Sequence, residues 1–182
     1  MGPEPEIAKI IPYKGSFYSL SIDDQVKRHL GEVTCSNGLA WSIDNKNFYY
    51  IDSGTYEIHQ YDFDITNGEI SNKKVVFSLK EAGIEGFADG HTIDTDGNLW
   101  VAIFNGSRVI KIDPRRQNAL LQTVEIPAKQ VTSVTFGGAN FDELYVTTAG
   151  TIGNDSMLPS PNGALFRVTG LGVKGFDGVK AK

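Results

Sequence analysis

The hydrophobic positions along the chain fall in short alternating runs, and almost no stretch shows the 3.6-residue period of an amphipathic helix. β-Branched and aromatic residues concentrate in these runs, and Gly, Asn, Asp or Pro bounds each of them. The strands predicted on this basis are Ser16–Leu20, Asn47–Asp52, Glu57–Phe63, Asn98–Ile103, Arg108–Ile112, Val131–Phe136, Glu143–Thr148 and Ala164–Val168. We expect a turn over Ser78–Gly83 and a long exposed loop without strands over Thr151–Asn162. The pattern predicts an all-β protein.

The predicted strands recur in a repeating unit. An inner strand opens with a polar residue followed by Gly, a turn reverses the chain, and an aromatic strand pairs back. Two copies begin at Asn37 and Asp89 and a degenerate third begins at Ser133, so the starting residues are 52 and 44 positions apart. Four antiparallel strands in about 40–50 residues are typical of one β-propeller blade.

The repeat predicts the domain organisation. We expect one β-propeller domain over residues 1–182, which at about 45 residues per blade makes roughly four blades. Lys14–Leu20 has the pattern of the third strand of a blade whose first two strands are missing. The domain is therefore expected to be incomplete at its N-terminus.

Composition narrows the possible partners and compartments. The chain has 182 residues and a net charge of −5, with no block of basic residues, which argues against nucleic acid as a partner. No apolar run approaches the roughly 18 residues of a membrane span, and nothing points to an obligate protein partner. The single cysteine, Cys35, excludes an internal disulfide, and residues 1–6 lack the features of a signal peptide. We therefore expect a cytoplasmic protein.

Asn37 and Asp89 are the candidate metal ligands because they occupy the same place in successive repeats. The starts of the innermost strands surround the central channel of a propeller, so these two side chains are expected to converge. An amide carbonyl and a carboxylate are hard oxygen donors that suit calcium. On spacing alone, Asn-Gly and Asp-Gly are equally well explained as turn dipeptides, and both interpretations stand at this point.

The remaining reactive side chains have structural explanations beside functional ones. His91 follows Asp89 by two residues and is expected on the same side of the strand, where it either contacts substrate or packs; packing is the favoured interpretation. His29 and His59 are expected at the surface, and three histidines this far apart give no zinc signature. Cys35 is expected to be a small buried residue rather than a nucleophile.

Two further patterns are interpreted as structural. The segment Asp94–Asn98 is similar to the start of a calcium-binding loop, but loop position 12 is Asn105 rather than the bidentate Glu, so we predict a hairpin turn. Aromatic residues that recur at matching repeat positions are expected to pack between blades rather than to bind substrate. They are Trp41, Phe48, Tyr49, Trp100 and Tyr145.

Several motifs resemble the SMP-30/gluconolactonase family, which includes regucalcin. They are Ser36–Ser42, Phe48–Ser53, Tyr61–Asp64, Asp89–Asp94, Gly97–Ala102, Phe136–Gly138 and Val168–Gly175. Gln130–Val134 and Asp142–Thr147 are similar to the insect branch of the family, which includes the firefly luciferin-regenerating enzyme. The resemblance runs from about residue 13 to the end of the chain.

The resemblance implies a six-bladed propeller with one divalent metal at the mouth of its channel. The metal is usually Ca²⁺, with Zn²⁺, Mg²⁺ and Mn²⁺ as alternatives, and the implied activity is metal-dependent hydrolysis of sugar lactones. The family's ligand Asn and Asp correspond to Asn37 and Asp89, and Asp89 would also be the catalytic base. The family's ligand Glu and its Arg-x-Asn-Asp-Gly substrate segment have no counterpart here, which implies that the N-terminal blades are missing.

Two alternative functions stay open at this point. A non-catalytic calcium-binding protein would need the metal ligands but not the absent substrate segment. An enzyme of luciferin regeneration would follow from the similarity to the insect branch, although a shared fold does not fix the substrate.

Overall fold

The computed structural model of the chain describes residues 10–152 and 156–178. Its strands, in chain order, are β1 (Gly15–Leu20), β2 (Val26–Val33), β3 (Ser36–Trp41), β4 (Asn47–Asp52), β5 (Glu57–Asp64), β6 (Glu69–Ser78), β7 (Phe87–Ile93), β8 (Leu99–Phe104), β9 (Arg108–Asp113), β10 (Ala119–Glu125), β11 (Val131–Gly137), β12 (Glu143–Thr148), β13 (Thr151–Ile152), β14 (Ser156–Met157) and β15 (Phe166–Val168). Within the described residues the helical structure is a single 3-10 turn, Ser53–Thr55. The predicted all-β class is confirmed.

Successive antiparallel sheets follow one another along the chain as propeller blades. Two of them are four-stranded and consecutive, β3-β4-β5-β6 and β7-β8-β9-β10, and a third has the order β11-β12-β15. Among the described residues, the first sheet consists of β1 and β2; the assignment of β1 as the third strand of a blade stays a prediction. The propeller architecture predicted from the repeat is confirmed.

Period-2 alternation gives each blade a core on both of its faces. In β4, Phe48 and Tyr50 pack toward the β1-β2 sheet, whereas Tyr49 and Ile51 pack toward the sheet of β7–β10. The rings of Phe48 and Phe17 (β1) are stacked with their centroids 5.3 Å apart. Each blade is therefore stabilised by its neighbours, as in repeat proteins generally.

The next blade repeats this arrangement. Leu99 and Val101 of β8 face the preceding blade, and Trp100 faces the following one, where its ring meets Phe136 edge-on at 5.9 Å. The aromatic residues predicted to pack between blades do so at Phe48, Tyr49 and Trp100, which are at most 3% exposed. Trp41 is 38% exposed and lies at the rim of the aromatic cluster.

The hairpin at Asp94–Asn98 is confirmed as a turn, and Asp94 stabilises it from inside. Its carboxylate is fully buried and accepts hydrogen bonds from the backbone N–H of Asn98 (2.9 Å) and from Trp100 Nε1 (2.9 Å). Lys111 Nζ on β9 lies 3.0 Å from the same carboxylate. All the donors needed to compensate its burial therefore come from within the blade.

Two expectations about the loops and outer strands are wrong. Thr151–Asn162 is not free of strands, because Thr151 pairs with Met157 in the short β13-β14 hairpin; Gly153 lies outside the described residues. His59 is not at the surface but 1% exposed. It lies on β5 directly opposite Tyr50, so it faces the interior between the first two sheets.

The turn after β6 is confirmed, since the backbone N–H of Ala82 donates to Ser78 O at 3.0 Å. No helix in the described part of the chain is both long and apolar enough to cross a membrane.

Candidate functional site

Asn37 and Asp89 lie at equivalent β-bulges in neighbouring inner strands. β3 places two residues, Asn37 and Gly38, opposite a single residue of β4. β7 likewise places Asp89 and Gly90 opposite a single residue of β8. A bulge frees one residue from the ladder and re-aims its side chain, which is why bulges are frequent beside active sites.

The two glycines allow the inner strands to approach each other closely. A methyl group at Gly38 would lie 2.7 Å from the backbone nitrogen of His91, and one at Gly90 would lie 2.9 Å from Ser133 Cα. Neither glycine has the positive φ of a left-handed turn residue. The turn-dipeptide interpretation is therefore wrong: both dipeptides lie within strands, and their glycines bring β3, β7 and β11 together.

The Asn37 side chain is held by hydrogen bonds from its amino group. Asn37 Nδ2 donates to Ser53 Oγ at 2.8 Å and lies 3.7 Å from Cys35 Sγ. The Ser53 hydroxyl in turn donates to the carbonyl oxygen of Ala88, 2.6 Å away on β7. The amide nitrogen is therefore occupied, and the carbonyl oxygen Oδ1 accepts no hydrogen bond from any described residue.

Asp89 is a half-buried carboxylate, and no donor among the described residues hydrogen-bonds to it. Burial raises the pKa of its carboxyl group to about 6. Its charge also acts on Cys35: burial first, and then the negative charge of Asp89, raise the pKa of that thiol. The raised pKa of the thiol argues against the nucleophilic interpretation of Cys35. The residue is partly buried rather than fully buried as expected.

His91 lies between two blades. It is 7% exposed, pairs with Val101 across the ladder and lies against Gly38. Ala88 pairs with Ile103 and His91 pairs with Val101, and these two partners are two residues apart on β8 and share one face of the sheet. His91 therefore lies on the same sheet face as Ala88. Burial lowers the pKa of the His91 imidazole to about 3, so the ring is neutral at physiological pH. Both ring nitrogens are buried without a hydrogen-bond partner in the described structure; contact with substrate stays a prediction.

The third inner strand shows which residue of the degenerate repeat corresponds to the two ligand candidates. β11 has its extra residue between Val131 and Ser133, which places Thr132 at the bulge. Thr132 Oγ1 shares a hydrogen bond of 2.8 Å with Thr147 Oγ1 of β12. The sequence repeat placed the start one residue later, at Ser133, because Thr132 breaks the polar-Gly pattern.

These residues fit part of a calcium site. Asn37 Oδ1 and the Asp89 carboxylate are hard oxygen donors without competing partners in the described structure, which is the chemistry calcium prefers. No group of three or more His, Cys, Asp or Glu side chains comes together among the described residues. A calcium ion takes six to eight ligands, so backbone carbonyls, water or further chain would supply the rest. Ser53 was not predicted, because only the folded strands bring it between Asn37 and Ala88.

Comparison with known proteins places this geometry in a family. The sequence model described as the "SMP-30/Gluconolactonase/LRE-like region" matches residues 3–150. Rabbit (Oryctolagus cuniculus) regucalcin is 45% identical over 177 residues, which are 96% of this chain and 58% of that protein. The chain thus spans 58% of the length of this curated relative.

Solved structures give the same result. A luciferin-regenerating enzyme superposes with a TM-score of 0.87 at 51% identity, covering 92% of this chain and 55% of the other. A calcium-binding regucalcin from Agrobacterium tumefaciens superposes with a TM-score of 0.79 at 24% identity, covering 93% of this chain and 56% of the other. At that identity the second likeness bears on the fold alone.

Proposed function

The chain belongs to the SMP-30/gluconolactonase/LRE-like family, and we propose that it supplies two ligands of a calcium site for the hydrolysis of sugar lactones. The observation that carries this proposal is the pair of equivalent bulges at Asn37 and Asp89, which present two oxygen donors from adjacent inner strands. The regucalcin relatives and the gluconolactonase in the family's description support the reaction class, and the two hard oxygen donors support calcium as the metal.

In the proposed reaction, water adds to the lactone carbonyl carbon and the ring C–O bond breaks, which yields the open-chain hydroxy acid. A calcium ion bound at this site would polarise the carbonyl group and acidify a nearby water. Asn37 holds its ligand oxygen in place through the Ser53 hydrogen bond. Asp89 would receive the proton of the attacking water on its carboxylate, which makes it the general base of the proposed reaction.

A second candidate function is luciferin regeneration. The luciferin-regenerating enzyme is 51% identical over nearly the whole of this chain, and this identity favours a related substrate. Non-catalytic calcium binding is the third possibility, and it requires the same two ligands without turnover.

The test is calcium titration calorimetry on the full chain together with gluconolactone hydrolysis, each with EDTA as the metal-free reference. Asp89→Asn and Asn37→Ala are expected to weaken calcium binding at least about tenfold, and Asp89→Asn to reduce hydrolysis by about 100-fold or more. Asp96→Asn is the matched control, because Asp96 is an exposed carboxylate on the adjacent hairpin; it should leave both measurements unchanged.

The outcomes separate the candidates. Calcium binding without lactone turnover would favour the non-catalytic function, and recovery of luciferin from its oxidised product would favour the second candidate. Calcium binding that is insensitive to both Asn37→Ala and Asp89→Asn would refute the site.

A further inference from the structure

Ser53 occupies a position between the two blades that carry the ligand candidates. It follows β4 directly, opens the 3-10 turn Ser53–Thr55 and is 6% exposed. Its hydroxyl donates to the Ala88 carbonyl on β7 and accepts from Asn37 Nδ2 on β3. It also lies within hydrogen-bonding reach of the Cys35 side chain. Ala88 immediately precedes Asp89, so this one side chain lies beside both ligand candidates.

The single proton of the Ser53 hydroxyl determines which way the Asn37 amide points. A hydroxyl has one O–H to donate, and the 2.6 Å contact with the Ala88 carbonyl uses it. Ser53 Oγ can therefore only accept from Asn37, and the atom facing it must be the amino group. Cys35 Sγ, 3.7 Å from Asn37 Nδ2, is a second weak acceptor on the same side. The carbonyl oxygen of Asn37 consequently points away from Ser53.

The segments on which Ser53 and Asn37 lie are fixed to each other by the neighbouring Asp52. Its buried carboxylate accepts hydrogen bonds from the backbone N–H groups of Thr34 (2.9 Å), Cys35 (2.8 Å) and Gly54 (3.2 Å). Thr34 and Cys35 lead into β3, and Gly54 lies in the turn that carries Ser53. The Ser53 hydroxyl is thereby held at a fixed place relative to the Asn37 amide.

We propose that Ser53 is a positioning residue of the metal site, which orients Asn37 so that its carbonyl oxygen faces the ion and ties that oxygen to the strand bearing Asp89. The inference rests on the proposed function, since it assigns Ser53 a role toward the same ion. Its chemistry is specific: an amide turned the other way would present an N–H₂ group, which repels a cation.

The experiment measures calcium affinity by titration calorimetry on the full chain, with thermal unfolding of the metal-free chain as a parallel measurement. Ser53→Ala is expected to weaken calcium binding about tenfold, the lower end of what loss of an outer-shell partner costs. Ser53→Cys keeps the side-chain volume but hydrogen-bonds weakly, so it should weaken calcium binding to a similar degree. It replaces Ser53→Ala in the experiment if the alanine variant does not fold. Ser53→Thr retains a hydroxyl group and should keep most of the calcium affinity of the wild-type chain.

Ser78→Ala is the matched control. Ser78 is 7% exposed and also ends a strand, but its hydroxyl accepts from the backbone of Glu81 and is remote from Asn37. A loss of folding stability alone would appear in both alanine variants. Loss of calcium affinity is expected only at Ser53.

A double-mutant cycle with Asn37→Asp separates orientation from general destabilisation. A carboxylate has no amino group to place, so Ser53→Ala in the Asn37→Asp background should change calcium affinity by less than about twofold. An equal loss in both backgrounds would show that Ser53 acts on the fold in general, and would overturn the inference while leaving the metal site intact. Calcium binding unaffected by Asn37→Ala and Asp89→Asn would instead overturn both proposals.

Discussion

Asp89 and Asp94 are five residues apart, and they illustrate two opposite ways of burying a carboxylate. Asp94 is fully buried and is compensated on both oxygens, by the backbone of Asn98, by Trp100 Nε1 and by Lys111 Nζ. Asp89 is half-buried with no hydrogen-bond donor among the described residues. The first holds a hairpin closed, and the second carries a charge that no hydrogen-bond donor of the described residues compensates.

This difference has an energetic consequence. A buried carboxylate without compensation favours its neutral form, and burial accordingly raises the pKa of Asp89 to about 6. Perturbed carboxylates of this kind are concentrated at functional sites. Substitutions at the two positions should therefore change stability in opposite directions.

The largest effect is expected at the compensated carboxylate. Asp94→Asn would leave the Lys111 ammonium, whose side chain is 11% exposed, buried without its counter-charge. Breaking a buried ion pair from one side costs about 3–5 kcal/mol, which urea denaturation of the full chain would measure. Asp96→Asn in the same turn is the control, and a change below about 1 kcal/mol at Asp94 would contradict the comparison.

The next largest loss of stability is expected at Gly90, which lets β7 pack closely against β11 beside Asp89. Gly90→Ala brings a methyl group to 2.9 Å from Ser133 Cα, a backbone atom that cannot move aside cheaply. Overpacking of this kind costs about 1–3 kcal/mol, and calcium affinity should fall with it because β7 and β11 are forced apart. Gly178→Ala, where the added methyl meets nothing within 4 Å, should show neither change.

Asp89→Asn is expected to stabilise the metal-free chain at pH 7. The carboxyl pKa rises from 3.8 unfolded to about 6 folded, so the folded state binds the proton more tightly. The contribution of Asp89 to the stability of the wild-type chain is then highest below about pH 4 and falls as the pH rises through about 6. After discounting for partial exposure, the variant should gain about 1–2 kcal/mol at pH 7 and nothing at pH 4.

Thermal unfolding at the two pH values in EDTA measures this gain. A variant that is less stable than wild type at pH 7 would mean that the Asp89 carboxylate is compensated after all, and the contrast with Asp94 would disappear.

The smallest effect is expected where the cations that compensate a carboxylate are exposed to solvent. Asp113 receives hydrogen bonds from Arg115 Nε (2.6 Å) and Arg116 Nε (2.9 Å), whose side chains are 60% and 65% exposed. Arg116→Ala should cost less than about 1 kcal/mol, because water screens such pairs and the second arginine remains. Repeating the urea denaturation at high salt should reduce even that difference. A loss as large as that of Asp94→Asn would show that exposure of the cation is not the deciding factor.

Prediction from sequence succeeded where strands carry alternating apolar residues and failed at the polar edges of the blades. The outermost strands β2, β6 and β10 were not predicted, because most side chains of β2 and β10 are exposed and β6 contains a run of four exposed polar residues, Ser71–Lys74. His59 was expected at the surface because its strand was interpreted as an outer one. Its burial depends on Tyr50 and the first sheet, which are distant in sequence.

The candidate site was predictable in part for a comparable reason. Asn37 and Asp89 could be found because the repeat and the family resemblance both mark their positions. Ser53 ends one of the family-like motifs, but nothing in the motif gives it a role, since that role depends on a hydrogen bond to β7 that forms only when two blades pack. The third repeat was predicted to begin at Ser133, one residue after the bulge at Thr132. The error arose because the extra residue of a bulge cannot be recognised in a period-2 pattern.

The bulges also bear on how such a fold acquires new chemistry. Asn37, Asp89 and Thr132 occupy equivalent positions in three successive blades. Each lies at a β-bulge, where it is not paired in the strand ladder. A substitution there changes an amide, a carboxylate or a hydroxyl without removing a rung from the sheet. Selection can therefore vary the chemistry of these positions largely independently of the selection that maintains the blades.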